Sequence, residues 1–472
     1  MSNTANHSIE AQYTNTLIKK YLEKTERSAS LAQKARKFIP GGDSHGPSYH
    51  SPYHLTYTHG AGSYIYDVDG NRYLDYCNQW LTMPHGHAFP PMVEALRKRI
   101  GESVGFGFPT EIQYQFAELL CDRVPSFEQM RFVASGSEAT LMCIRAARAY
   151  TGKKKIMKLD GGYHGTHDLG EYNWFPTCDA DSLDKIQATS PDAGVSGSDI
   201  QDVIVFPYNE SELFTRIIEQ HAREVAAVIM EPMIGPLGMI EPVPGFLEKI
   251  RSLTEKHGII LIFDEVVQFP TAFHGAQGFF KVTPDLTALG KAIGGGYPIG
   301  AWGGRRDIMD LWNPEKMGHD VILQVSSHAG NAVSIEAGLV TLLHLTESAI
   351  SSRNIIFHGL QQGLNEVFVN NQIRGQVTGI GYGFAIHLTD RKIMNPSDSF
   401  STAMAYEEVS GLIFMGLRYY GIAVYPPLFG IVTTQMREEE VKITTEAMEK
   451  TLADIMPVIE AKYPQLLVQV KY

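Results

Sequence analysis

The chain has 472 residues, 44% of them hydrophobic and 19% charged, with a formal net charge of −12 at pH 7. That length supports a large domain plus a smaller one around buried cores, and the acidic balance disfavours nucleic acid or an anionic membrane as a partner. No apolar stretch approaches the roughly 18 residues that span a bilayer, MSNTANHSIEAQ at the N-terminus has no secretory pattern, and the four cysteines lack metal-like spacing, so a reducing cytoplasm is the expected location.

In chain order, residues 9 to 38 are expected to be helical, with Leu17, Ile18, Tyr21 and Leu22 at helical spacing. Pro40, Gly41 and Gly42 stop that helix. SYIYDVDGNRYLDY at 63 to 76 predicts a hairpin around Asp69 and Gly70. Thr110 is placed to cap the next helix, with Gln113 completing a capping box. From about residue 130 short apolar runs alternate with amphipathic helices: MRFVAS at 130 to 135, DVIVFPY at 202 to 208, VAAVIMEP at 225 to 232 and IILIFDEV at 259 to 266. Continuous apolar strands of this kind predict an α/β fold, a mostly parallel sheet covered by helices. Residues 176 to 200 read as a surface loop. After residue 340 a long helix leads to a second α+β unit, with strands in 377–390 and 421–427 and a terminal helix over 437–456.

Lys291 follows DLTALG and precedes AIGGGYPIGAWGG, and Asp264 ends the apolar run IILIF. That pairing suggests pyridoxal phosphate chemistry. A lysine amine can hold the cofactor aldehyde as a Schiff base, and a carboxylate facing the pyridine nitrogen keeps the ring able to accept electrons. In a parallel sheet, ligands sit beyond the carboxyl ends of the strands, where Asp264 falls. The phosphate needs a cradle, and ASGSEATLMCIRAARAY at 134 to 150 opens a helix after a strand. The N–H groups of Gly136 and Ser137 are placed there to meet an anion, with the helix dipole behind them. The paired histidines His164 and His167, and His85 and His87, have no ligands at metal spacing, so no metal is expected.

The segment from IILIFDEVV through GAWGG closely resembles the cofactor region of class III, fold type I aminotransferases, above all the branch containing glutamate-1-semialdehyde 2,1-aminomutase. The resemblance spans roughly residues 35 to 460. It implies a large domain with a mostly parallel seven-stranded sheet plus a smaller α+β domain: an N-terminal helix and hairpin over 1–85 joining the small domain, a cofactor domain over 86–340 and a C-terminal domain over 341–472. By the same resemblance Tyr163, beside His164, stacks on one face of the pyridine and Val266 covers the other, while Glu231 is an active-site wall residue. It also implies a homodimer with shared sites. In the family a Gly-Thr pair serves the neighbouring subunit's phosphate; here Ser326 and Ser327 replace it, and Ser327 keeps a hydroxyl donor.

The resemblance breaks at the substrate. The family's carboxylate-binding arginine after PGG is absent, with His45 or Ser48 near its place. A second arginine after DEV is missing, and the acidic residue of the C-terminal domain falls near Leu428. Trp80 matches an aromatic of the substrate wall, and Tyr49, Tyr53 and Phe108 are expected nearby. Arg418 and Arg305 are candidates for a substrate carboxylate by type alone. The expected activity is amino-group exchange between an amine donor and a carbonyl acceptor in an apolar or aromatic pocket. An aminomutase of the glutamate-1-semialdehyde type is the alternative. GGGYPIG at 294 to 300 lacks dinucleotide-binding spacing.

Overall fold

The computed structural model describes residues 16–46, 49–177, 180–190, 192–316 and 321–468. Its strands, in chain order, are β1 (Tyr57–Ala61), β2 (Tyr64–Asp67), β3 (Arg72–Asp75), β4 (Gln129–Val133), β5 (Lys155–Leu159), β6 (Val203–Phe206), β7 (Val225–Met230), β8 (Ile260–Asp264), β9 (Leu286–Gly290), β10 (Gly300–Gly304), β11 (Gln376–Thr378), β12 (Gly383–His387), β13 (Ile422–Ala423) and β14 (Phe429–Ile431). Seven of them form the central sheet in the order β4-β10-β9-β8-β7-β5-β6. The pairs from β9 through β6 are parallel, and β10 runs antiparallel to both β9 and β4.

Every residue of β7, β8, β9 and β10 is buried, because helices cover both faces. Along β8 the side chains alternate. Ile260 and Ile262 pack on the face that carries helix Gly136–Thr151, with Ala139, Cys143 and Ile144. Leu261 and Phe263 pack on the other face, with Phe246 and Ile250 of helix Phe246–His257. Fully burying each such side chain contributes about 1.5–3 kcal/mol, which fixes the register of β8 and hence the position of its last residue.

The predicted hairpin forms with Tyr64 opposite Leu74 and Ile65 opposite Tyr73. Asp67 Oδ1 accepts the N–H groups of Asp69 and Asn71, and Gly70 has φ +88°. β13 then pairs parallel with β3, Ile422 opposite Leu74, so the 421–427 run joins the N-terminal hairpin rather than the three-stranded sheet β11-β12-β14.

Three local expectations are corrected. The helix over 9–38 is two helices within the described residues, 16–24 and Glu26–Ala35, broken at Thr25. The buried Thr25 hydroxyl is held by Tyr21 O at 2.6 Å and Tyr53 Oη at 2.8 Å, which favours a local side-chain bond over a continued helix. Helix Glu111–Arg123 starts after Thr110, but no capping box forms, and Thr110 Oγ1 is buried without a partner among the described residues. Gln113 lies instead against the turn at Gly330, where an added Cβ would come within 2.8 Å of its Oε1. The last helix, Glu438–Lys462, runs through Pro457. Proline removes an N–H and crowds the preceding turn; burial of Val458 and Ile459 in the small-domain core carries the helix past it.

Candidate active site

Asp264, the last residue of β8, is 5% exposed. Its Oδ1 accepts the Val266 N–H at 3.1 Å, and its Oδ2 lies 2.9 Å from Nδ1 of His164. A carboxylate only accepts, so the imidazole carries its proton on Nδ1 and donates. Burial lowers the His164 pKa against the pull of Asp264, keeping the ring neutral. Its Nε2 has no hydrogen-bond partner among the described residues and faces Gly162, where a Cβ would come within 2.9 Å. His164 therefore stands behind Asp264 and orients it.

Lys291 follows β9 directly, half-buried, with φ +45°. Burial lowers its pKa, opposed by the charges of Asp264 and Glu231. Glu231 follows β7, 6% exposed, with Oε2 accepting the Gly235 N–H at 3.0 Å. Burial first, and then the charge of Asp264, pushes its pKa up to about 8. Three ends of neighbouring strands thus bring an acid, an anion and an amine to one crevice.

Helix Gly136–Thr151 opens toward the same crevice. Ser135 caps it, accepting the Glu138 N–H at 3.2 Å. A Cβ on Gly136 would meet both γ-carbons of Val266 at 2.9 Å, and one on Gly290 would lie 3.1 Å from Gly136 Cα. Glycine at both positions lets helix, β9 and Val266 close together. Ser137 Oγ accepts the Thr166 N–H at 3.1 Å, which fixes the loop bearing Tyr163. Tyr163 is 42% exposed and meets the edge of Trp174 at 5.8 Å. Ser326 Oγ donates to Glu138 Oε2 at 3.1 Å, tying its loop to the helix of its own chain, while Ser327 beside it is exposed.

Trp80 lies after β3 with its ring 4.2 Å from Tyr425 at 21°, and its backbone N–H donates to Tyr425 Oη at 2.8 Å. The His45 ring lies 6.2 Å from the indole at 22° and sits 3.6 Å from Asp43. Ser48 lies outside the described residues. Neither arginine singled out by type faces this crevice as an open cation. Arg305 is held by Asp285 at 3.0 Å and Asp307 at 2.6 Å. Arg418 is buried, donating to Tyr57 Oη and to Val424 O.

Lys158 of β5 escaped the sequence reading. It is fully buried, and its Nζ donates to Gly170 O at 2.9 Å and to Tyr172 O. Burial lowers its pKa to about 7 against the pull of Asp160, Glu171, Glu231 and Asp264. The signal was a charge inside an otherwise apolar run, KIMKL. Gly290 and Tyr425 were missed as well; they stand in the DLTALG and 421–427 runs, but only the packing singles them out.

The residues present fit pyridoxal phosphate: an amine, a braced carboxylate and an open helix N-terminus with no room for side chains at Gly136 and Gly290. The model of the family described as aminotransferase class-III matches residues 46–452. A glutamate-1-semialdehyde 2,1-aminomutase from Listeria welshimeri is 37% identical over 445 residues, covering 90% of this chain and 97% of its own. Among solved structures, an omega-transaminase from Sphaerobacter thermophilus superposes with a TM-score of 0.87 at 37% identity, covering 91% of this chain and 98% of its own. A β-phenylalanine aminotransferase from Variovorax paradoxus gives 0.85 at 28% identity, covering 98% and 99%.

Proposed function

This chain belongs to the class-III aminotransferases and uses pyridoxal phosphate to transfer amino groups, and we propose that its substrate is an amine or ketone with an apolar or aryl body rather than glutamate semialdehyde. The observation that carries this reading is the substrate side of the crevice. Trp80, Tyr425 and Phe429 supply stacked rings, while Arg305 and Arg418 are committed elsewhere. A charge-assisted hydrogen bond to a carboxylate contributes about 1.5–3 kcal/mol. Without one, a small anionic substrate loses about ten- to a hundredfold in affinity. The test is kcat/KM for glutamate-1-semialdehyde against that for 1-phenylethylamine. A strong preference for the semialdehyde overturns the reading and favours the aminomutase, whose relatives share 37% identity with this chain. An aminotransferase shows ping-pong kinetics with two substrates.

When bound, the cofactor supplies an aldehyde that takes up the amino group and a ring that spreads the electrons left on the deprotonated substrate carbon. The residues of this chain do the rest. Lys291, whose amine pKa is lowered by burial, takes the proton from the substrate carbon and returns it at the other end of the exchange. Asp264 holds its charge toward the ring nitrogen, with His164 keeping the carboxylate turned. Burial pushes the Glu231 pKa up to about 8, which weakens the second negative charge beside Asp264 at the lysine. Gly136 and Ser137 would receive the phosphate, Tyr163 and Val266 would flank the ring, and Ser327 would serve the partner's phosphate.

That last role makes the active form a homodimer. Exposed apolar residues support it: Phe108 at 80%, Leu323 at 72% and Val325 at 89%. Their two segments meet where Gln113 lies against Gly330. An apolar surface of this kind marks an interface. The pairing of β13 with β3 supports giving the N-terminal hairpin to the small domain, while residue 340 lies inside helix Ala332–His344.

A further inference from the structure

Asn78, Gln79, Trp80 and Leu81 have φ values of 41°, 50°, 56° and 66°. Leu81 N–H donates to Cys77 O and Thr82 N–H to Asn78 O, each at 3.0 Å. This is one turn of left-handed helix made of four residues that all carry a Cβ. L-residues visit that region singly, and glycine is the residue that favours it. Such backbone persists only where its surroundings over-determine it, and it clusters at functional sites.

Here the surroundings are specific. Buried Asp75 accepts the Cys77 N–H at 2.7 Å through Oδ1, and the Asn78 N–H at 3.1 Å through Oδ2. His87 Nε2 lies 2.7 Å from the same Oδ2. Tyr425 Oη accepts the Trp80 N–H, and Tyr382 Oη donates to Leu81 O at 2.7 Å. The turn packs on β14 on one side and on the Lys291–Gly294 turn on the other. A right-handed turn would swing the Trp80 side chain to the opposite side and break the bond from its backbone N–H to Tyr425. The hand of the turn therefore places one face of the indole against the near-parallel ring of Tyr425 at 21°, with Phe429 stacked on Tyr425 at 29°.

We propose that this left-handed turn is a positioning device that holds Trp80 as an aryl-selecting wall beside Lys291, with Asp75 and Tyr425 as its positioning residues. The proposal rests on the aminotransferase reading above and specifies its substrate as an amine or ketone bearing a flat ring. The ring stacks on the half-buried indole, an offset contact that a branched alkyl group does not reproduce.

The test compares 1-phenylethylamine with 2-aminobutane as donors. Trp80→Ala lowers the aryl-to-alkyl ratio of kcat/KM at least tenfold. Tyr425→Phe keeps the stack and removes only the acceptor for Trp80 N–H; it lowers that ratio at least threefold, through KM. Equal losses for the two donors in either variant overturn the proposal. Gln79→Gly, at an exposed position, removes a Cβ from left-handed backbone and raises the thermal midpoint of the cofactor-free protein by about 1–2 °C; a lower midpoint denies that the turn is strained and overturns its role. A wild-type enzyme that accepts glutamate-1-semialdehyde and neither amine sinks the substrate reading and the aryl wall with it. The Gln79→Gly midpoint then still reports on the turn itself.

Discussion

Lys291 bears a positive φ and a buried amine at once, two costs that packing around β9 must offset. Lys291→Ala is expected to leave no cofactor covalently trapped by borohydride, and a trapped adduct in that variant would move the attachment elsewhere. Asp264→Asn keeps the shape and loses the charge. It should retain cofactor while kcat falls about 10²–10³-fold, the scale of losing one preorganised electrostatic partner. Glu231 makes a prediction about pH. Between the ordinary carboxylate range and about pH 8 the folded state holds a proton that the unfolded chain has released, so stability of the cofactor-free protein falls as pH rises through that window. Glu231→Gln fixes the neutral form. Thermal midpoints from about pH 5 to pH 8 should then lose this slope, and an unchanged slope would assign it to other groups. Lys291 and Asp264 were legible because a strand end and a glycine-rich loop mark them locally. The brace from His164 to Asp264 spans 100 positions, and no local pattern announces such a pair.

Among the elements, helix Gly136–Thr151 has little room for change at its first residue. Gly136→Ala sets a methyl against both branches of Val266, and overpacking of this kind costs about 1–3 kcal/mol. Cofactor affinity should drop about ten- to a hundredfold, measured by loss of bound-cofactor absorbance on dilution, and Val266→Ala in the same chain should restore it. Failure of that rescue would place the tight contact elsewhere. The turn Asn78–Leu81 is the opposite case, an element that propensity argues against, since left-handed backbone costs about 1–2 kcal/mol per residue. Sequence reading found Trp80 only by resemblance and could not see its backbone, because Asp75, Tyr382 and Tyr425 impose it from three parts of the chain. The strands of the large sheet were readable from their apolar runs. The absent box at Thr110 and the break at Thr25 were not, because each depends on a tertiary partner.

At the scale of the whole molecule, the exposed Phe108 and Val325 are the places to break the assembly. Phe108→Glu with Val325→Glu should sediment as a monomer and lose cofactor, because Ser327 then has no neighbour to serve; a cofactor-loaded monomer would contradict the shared site. The two-domain plan was expected from the change after residue 340, where a long helix leads to a second α+β unit. The return of β13 to the N-terminal hairpin was not, since a two-residue strand carries almost no pattern. That return also sets a schedule for synthesis. Tyr76 Oη meets Thr444 Oγ1 at 2.7 Å across 368 positions, and at about 5–20 residues per second a ribosome needs about 20–70 s to deliver the second partner. Meanwhile every strand of the seven-stranded sheet has emerged, and β3 waits with an open edge, a place where strands mispair. The nascent enzyme therefore completes its lysine and phosphate cradle first, and acquires the wall that chooses its substrate only as the last part of the chain arrives.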